Sequence, residues 1–146
     1  MQWYELAENP SVLQALYTDV PSLDPAYLTR IHLQEHEDRM SLWITLSRFP
    51  DRPPASWTPR GKQQFAPYLA ANAISVQLVF SHVTMLQVTG WVVERAGHTT
   101  IESSPEGAIS CHVITSHGQL DALAQRFHIA EIHGYYRKED ERVVSK

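Results

Sequence analysis

The fold class of this chain is decided by one stretch, Ile74-Ser75-Val76-Gln77-Leu78-Val79-Phe80-Ser81. Apolar side chains recur there at every second position, and Ser75, Gln77 and Ser81 fall on the other face. This period is typical of a β-strand with one buried face. The strand lies within the longest uncharged stretch, residues 63–93, which favours a central position in a sheet.

Other segments on both sides of this strand predict further strands. Residues 28–34 and 42–46 alternate and are joined by the polar turn Glu37-Asp38-Arg39, which predicts an antiparallel hairpin. Trp43 falls on the polar face of the second hairpin strand. Three more strands are predicted over residues 86–93, where Gly90 is expected to form a bulge, and over residues 109–113 and 129–135.

Two segments have helical spacing. Asn9 is a preferred N-cap residue and Pro10 suits the first helical position, so a short N-terminal helix is expected. A second short helix is predicted from about Gly118 to Arg126, because its apolar residues recur at helical spacing. The sequence thus predicts an α+β fold that is strand-rich. It has one largely antiparallel sheet of about six strands, an N-terminal helix and a second short helix.

The chain length of 146 residues fits a single domain over residues 1–146. Prolines at 50, 53, 54, 59 and 67 predict a long surface loop over residues 49–67. Lys138 to Lys146 is expected to be a charged, frayed tail. The topology of residues 96–136 and the oligomeric state stay open.

Composition excludes several classes of protein. Apolar residues make up 43% of the chain, which excludes a disordered tail, and a net charge of −4 disfavours a nucleic-acid binder. The polar residues within 63–93 exclude a membrane span there. A single cysteine, Cys111, and an N-terminus without a secretory signal predict a soluble cytoplasmic protein.

Charge is unevenly distributed along the chain. Residues 1–38 carry seven acids and one base, and residues 39–93 carry five bases and one acid. An acidic pole would steer a basic partner and raise its association rate. The alternative is ordinary solvated charge without a partner.

No pattern of residues predicts catalysis, a metal site or a cofactor. The eight histidines lack metal-ligand spacing, and the sequence has neither a nucleophile elbow nor a Gly-rich phosphate loop. Cys111 alternates with Ile109 and Val113, which favours a small core residue over a nucleophile. Glu35, Glu37 and Asp38 are interpreted as an acidic hairpin turn rather than as catalytic carboxylates.

Two tryptophans are candidate partner contacts, because tryptophan is enriched among interface anchors. Trp57 lies in the proline-rich loop, and Trp43 lies off the apolar face of its strand. The alternative for both is a lid that packs over the edge of the sheet. With the acidic turn, the predicted partner-binding residues are Trp43, Trp57, Glu35, Glu37 and Asp38.

Three blocks of sequence resemble a known family. The first is Trp3-Tyr4-Glu5-Leu6, Asn9-Pro10, Leu13, Leu16-Tyr17 and Val20-Pro21-Ser22-Leu23. The second is Ile31-His32-Leu33, Leu42–Leu46 and Phe49-Pro50-Asp51-Arg52-Pro53-Pro54-Ala55-Ser56-Trp57, and the third is Gly134-Tyr135-Tyr136. Together they are similar to the immunity protein 50 family of bacterial polymorphic-toxin systems. The likeness is strongest in the first 57 residues and weak over residues 63–126.

The resemblance implies a cytoplasmic protein that binds a cognate toxin and neutralises it by occlusion, without catalysis of its own. It implies no particular toxin activity and no binding residue. Two other functions stay open: a small hydrolase or transferase that uses histidine, and an adaptor or chaperone for a secreted effector.

Overall fold

The computed structural model describes residues 2–57 and 72–135. The strands are β1 (Ala26–Gln34), β2 (Arg39–Thr45), β3 (Ala73–Gly90), β4 (Arg95–Ser103), β5 (Ile109–Thr115) and β6 (Gly118–Tyr135). Helical structure in these residues consists of α1 (Ser11–Gln14) and short 3₁₀ turns at Trp3–Leu6, Glu35–Glu37 and Ala55–Trp57. The fold is therefore mostly β, which corrects the predicted α+β class.

The strands form one antiparallel sheet in the order β1-β2-β3-β6-β5-β4, and the sheet closes on itself as a barrel. Strand β4 completes the closure by pairing with the start of β1, at Ala26 with Gly97 and at Leu28 with Arg95. The predicted hairpin is confirmed, since β1 and β2 pair from Tyr27–Thr45 to Gln34–Arg39. The prediction of one antiparallel sheet of about six strands is also confirmed.

Strands β3 and β6 pair along their whole length, and both change their buried face at residues 80–83 and 124–127, a step that we call the bend. Below the bend, Phe80 pairs with Phe127, and their rings stack with centroids 5.1 Å apart in the core. Above the bend, Val83 pairs with Ala124. The buried face therefore moves by three residues in each strand instead of two, and in β3 this step includes His82 with a φ of 55°.

The predicted helix from Gly118 to Arg126 is wrong, because these residues belong to strand β6. In a strand the buried positions are two residues apart, but at the bend they step from Ala124 to Phe127. The spacing of Leu120, Ala124 and Phe127 thus matches that of a helical stripe. Separately, residues 86–90 continue β3 rather than begin a new strand.

The N-terminal segment closes one end of the barrel. Trp3, Leu13 and Tyr17 are buried in the core. The backbone N–H of Glu8 donates to the carbonyl of Phe127 at 2.9 Å. The side chain of Asn9 accepts from the backbone N–H of Ile129 and donates to its carbonyl, both at 2.8 Å. The expected N-cap role of Asn9 is therefore wrong: Pro10 occupies that position in α1, and Asn9 extends the ladder of β6 past the end of β5.

We expect Asn9→Ala to lower the free energy of unfolding by about 2 kcal/mol, because two hydrogen bonds to a partly buried backbone are lost. Urea unfolding measures the change. The control is Gln14→Ala on the exposed side of α1, which should shift stability by less than about 0.5 kcal/mol. Equal effects of the two substitutions would contradict the assignment.

The first part of the proline-rich loop is docked on the N-terminal helix. Arg52 donates from its guanidinium to the carbonyls of Gln14 at 2.9 Å and Ala15 at 3.1 Å. The backbone N–H of Thr18 donates to the carboxylate of Asp51 at 2.9 Å, and this bond lowers the pKa of Asp51. The predicted loop residues 58–67 and the predicted tail 138–146 lie outside the described residues.

Candidate partner-binding surface

The β1–β2 turn is held against β3. Asp38 has a φ of 50°, a left-handed conformation that Asp tolerates better than most residues. Its carbonyl accepts a hydrogen bond from the N–H of Val83 at 2.9 Å. The turn therefore has a fixed place beside β3 at the point where β2 begins.

A groove lies between this turn and the upper half of β3. It has a volume of about 320 Å³, and we call it the turn groove, defined by its lining residues Leu33, Gln34, Asp38, Arg39, Met40, Val83 and Leu86. A second depression, of about 380 Å³, shares Leu33 and Gln34 and continues to His36 and Glu37. Leu33 lies in both depressions, and its side chain is 45% exposed.

Further apolar side chains are exposed beyond the groove. Val88 is 45% exposed and Trp91 is 61% exposed. By register, Val88 pairs with buried Leu120, so its side chain is on the interior face of the sheet. It is nevertheless open to solvent. An exposed patch of large apolar side chains is typical of a binding surface.

The rim of the turn groove is acidic. Glu37 and Asp38 are both exposed. Arg39 is the neighbouring base, and its guanidinium lies 3.1 Å from the carboxylate of Glu37. This exposed ion pair adds little stability. The structure thus places Asp38 at the turn groove and Glu37 at the adjoining depression, whereas the side chain of the third predicted acidic residue, Glu35, lies outside the described part of the chain.

Trp43 lies on the outer face of β2, away from the turn groove. Its ring is half-buried, and the guanidinium of Arg30 stacks over it at 4.6 Å from the ring centroid. It lies three positions after Met40 along the strand, a distance of roughly 10 Å by strand rise. It thus presents an aromatic and cationic pair on a different face from the acidic rim.

Trp57 lies at the opposite end of the barrel. Its ring packs against Gly134 near the end of β6 and against Phe49, with ring centroids 6.0 Å apart. The structure therefore brings Trp57 together neither with Trp43 nor with the acidic turn. This position agrees with the alternative of a lid over the sheet.

Cys111, the candidate nucleophile, is buried in the core of the barrel. Burial raises the pKa of the Cys111 thiol to about 12. The residues that pair with Cys111 across the ladders are Ile101 and Ala122. Over residues 2–57 and 72–135, no group of three or more His, Cys, Asp or Glu side chains is placed to hold a metal ion.

We expect Cys111 to be unreactive in the folded protein, because its thiol is buried and its thiolate fraction at neutral pH is negligible. A chromogenic disulfide reagent measures this directly. Labelling should be slow under native conditions and complete within the mixing time after denaturation. Fast native labelling would show an accessible thiolate and would reopen thiol chemistry.

Sequence reasoning missed the apolar part of this surface. Leu33, Leu86 and Val88 follow the alternation of buried strand positions, so they were expected in the core. Leu33 and Val88 are instead exposed, and Leu86 is half-buried. Burial depends on which strands cover a residue, and alternation does not encode that. The sequence feature that could have indicated this exposed surface was Trp91, a large apolar residue directly after the glycine that ends β3.

In the part of the chain that the structure describes, no helix has the length and apolar character needed to cross a membrane. A comparison with protein families matches residues 9–135 to the family described as immunity protein 50. Neither the curated proteins nor the solved structures contain a match to this chain. The family match spans the barrel together with the N-terminal helix, the docked loop and the turn groove.

Proposed function

The chain belongs to the immunity protein 50 family, and from this membership we propose that it binds and neutralises a cognate toxin without catalysis of its own. It acts as one domain in the cytoplasm of the cell that it protects. The observation that carries the proposal is the family match over the whole described barrel. The exposed turn groove with its acidic rim supports it, because it supplies a surface suited to a protein partner.

Binding occludes the toxin through the β1–β2 turn and the adjoining outer face of β2, which carries Trp43 and Arg30. The complex buries about 1,200–2,000 Å² in total, the usual size of a specific interface. Leu33 and Leu86 supply apolar contact at its centre. Glu37 and Asp38 form its acidic rim, which speeds association with a basic partner more than it tightens binding.

The proposal is tested by expressing the chain together with the toxin domain encoded next to its gene. Cells that make the toxin alone should die, and cells that make both proteins should survive. The two proteins should then purify as one complex. Death in the presence of well-expressed chain would overturn the proposal, and binding to several unrelated effectors would indicate an adaptor instead.

We expect Trp43→Ala to weaken toxin binding by about 2 kcal/mol, the loss typical of an interface anchor. The melting temperature should change little, because the ring is half-exposed and its contact with Arg30 is a surface interaction. Calorimetric titration and thermal unfolding measure the two effects. The control is Val12→Ala on α1, an exposed apolar residue distant from this face. A fall in stability without a loss of binding would place Trp43 in the framework of the fold.

A further inference from the structure

Two strands beside the turn groove each leave one edge without a neighbour. Strand β1 pairs with β4 only through residues 26–28, and β3 pairs with β2 only as far as Phe80. Among residues 2–57 and 72–135, no strand pairs with the outer edge of β1 from 30 to 34, nor with that of β3 from 84 to 90. Unpaired edges are ready to accept a further strand.

Backbone contacts close both ends of the opening between these edges. At one end the N–H of Glu94 donates to the carbonyl of Leu28 at 2.7 Å, and at the other the N–H of Val83 donates to that of Asp38 at 2.9 Å. Between these two contacts the chain follows β1 and its turn on one side, and β3 with residues 91–93 on the other. The opening is thus a slot framed by backbone, with the turn groove at the Asp38 end.

The direction of the backbone groups along β3 follows from one hydrogen bond. The N–H of Trp91 donates to the carbonyl of His117 at 2.9 Å, towards β6. In an antiparallel ladder the residues alternate between facing the partner strand and facing away from it. Leu86 and Val88 therefore direct their N–H and carbonyl groups into the slot.

We propose that this slot receives an extended segment of the toxin as an added strand, an inference that rests on the proposed immunity function. Backbone hydrogen bonds to β3 supply affinity, and apolar side chains at alternate positions enter the turn groove. The segment is basic beside the turn, because Glu37 and Asp38 are exposed there. Capture of such a segment holds part of the toxin away from its working shape.

The charges of the rim favour a toxin segment over a second copy of this chain. The described turn residues Glu37, Asp38 and Arg39 leave a net negative charge at the slot, and the chain as a whole carries a net charge of −4. A second copy brings an acidic turn of its own, whereas a basic segment is attracted. Opposite charge also steers the encounter, so the association rate should depend on salt.

The main test uses Val88→Pro, which removes an N–H that faces the slot and leaves the hydrogen bonds to β6 in place. Proline is tolerated at such edge positions. The matched control, Val88→Ala, shortens the same side chain and keeps the N–H. Calorimetric titration with an inactivated toxin should show binding roughly 30-fold weaker for the proline variant than for the alanine variant.

Two further measurements examine the backbone and the rim separately. Hydrogen exchange should show the amides of Leu86 and Val88 exposed in the free chain and protected in the complex. Glu37→Gln and Asp38→Asn keep the shape of the turn, since Asn also tolerates a positive φ. They should lower the association rate and its dependence on salt.

The outcomes separate this inference from the proposed function. If the unaltered chain binds no toxin, the proposed function fails. If it binds toxin while Val88→Pro binds equally well and the two amides stay unprotected, the slot is not the site and the function stands. If Val88→Pro does not fold, the protection of the Leu86 and Val88 amides in the unaltered chain with toxin decides whether the slot is the site. Protection that appears without toxin as the chain dimerises in sedimentation experiments would assign the slot to a second copy and overturn the inference.

Discussion

Gly90→Ala is expected to lower the free energy of unfolding by about 4 kcal/mol, enough to unfold a protein of ordinary stability in part. Gly90 ends β3 with a φ of 73°, which an L side chain rarely adopts. A Cβ at this position would overlap the carbonyl oxygen of His117 and lie 2.9 Å from the Cα of Gly118. Because these atoms belong to the backbone at the start of β6 and to the residue before it, the pairing of the two strands would have to open there.

The matched control is Gly107→Ala. Gly107 also has a positive φ, of 87°, but a Cβ there would meet no atom within 4 Å. It should cost only the conformational strain, about 1 kcal/mol. Urea unfolding of both variants separates strain from steric overlap. Similar losses for the two would show that the approach of Gly90 to His117 does not limit the fold.

Features of this fold that lie within a short stretch of sequence were predictable, and features that depend on distant residues were not. The β1–β2 hairpin was predictable, because its alternation and its turn lie within one short stretch of chain. Closure of the barrel was not predictable, because it depends on the pairing of Ala26 with Gly97 and on the bend shared by β3 and β6. Neither feature leaves a periodic trace in the sequence.

Strand β4 was missed for a related reason. Of its buried side chains, Ile101 is large and apolar whereas Thr99 is polar, and the glycine at 97 adds no side chain. Such a strand has a weak apolar pattern and is specified by its neighbours β1 and β5 instead. In β6 the opposite holds: its apolar pattern is strong, but the bend gives it the spacing of a helix.

The candidate site likewise has parts that the sequence predicts and parts that it does not. The exposed acidic turn was predictable because charged residues between two alternating runs belong at a hairpin tip. The slot was not predictable. An edge is unpaired when no other strand lies beside it, and the sequence of β1 or β3 alone does not show whether one does. For Trp57 the decisive neighbour, Gly134, is distant in sequence.

The residues that carry the family resemblance contact one another in the structure. The backbone N–H of Arg52 from the second block donates to the carbonyl of Leu16 from the first at 3.0 Å, and Asp51 holds the neighbouring Thr18. Trp57 from the second block packs on Gly134 from the third. Asp51, Arg52, Trp57 and Gly134 therefore help to build the closed end of the barrel, whereas the proposed partner surface lies at the β1–β2 turn.

Gly134→Ala tests this separation and should lower the free energy of unfolding by about 3 kcal/mol. A Cβ at 134 would overlap Cδ2 of the Trp57 ring and lie 2.9 Å from its Cγ. The indole must then leave its place, and its packing against Phe49 is lost with it. Thermal and urea unfolding measure the loss, and toxin affinity of the folded fraction should stay within about twofold of the unaltered chain, since distant sites act independently.

A double-mutant cycle with Trp57→Ala identifies the cause. Trp57→Ala alone should cost about 2 kcal/mol, because the ring is half-buried. In that background the ring no longer opposes the new methyl group, so Gly134→Ala should cost less than about 1 kcal/mol. A full additional loss in the double variant would mean that the strain lies in the backbone of β6 and not in the contact with Trp57. A loss of toxin binding by Trp57→Ala at unchanged stability would instead make Trp57 a partner contact and move the binding face to the closed end of the barrel.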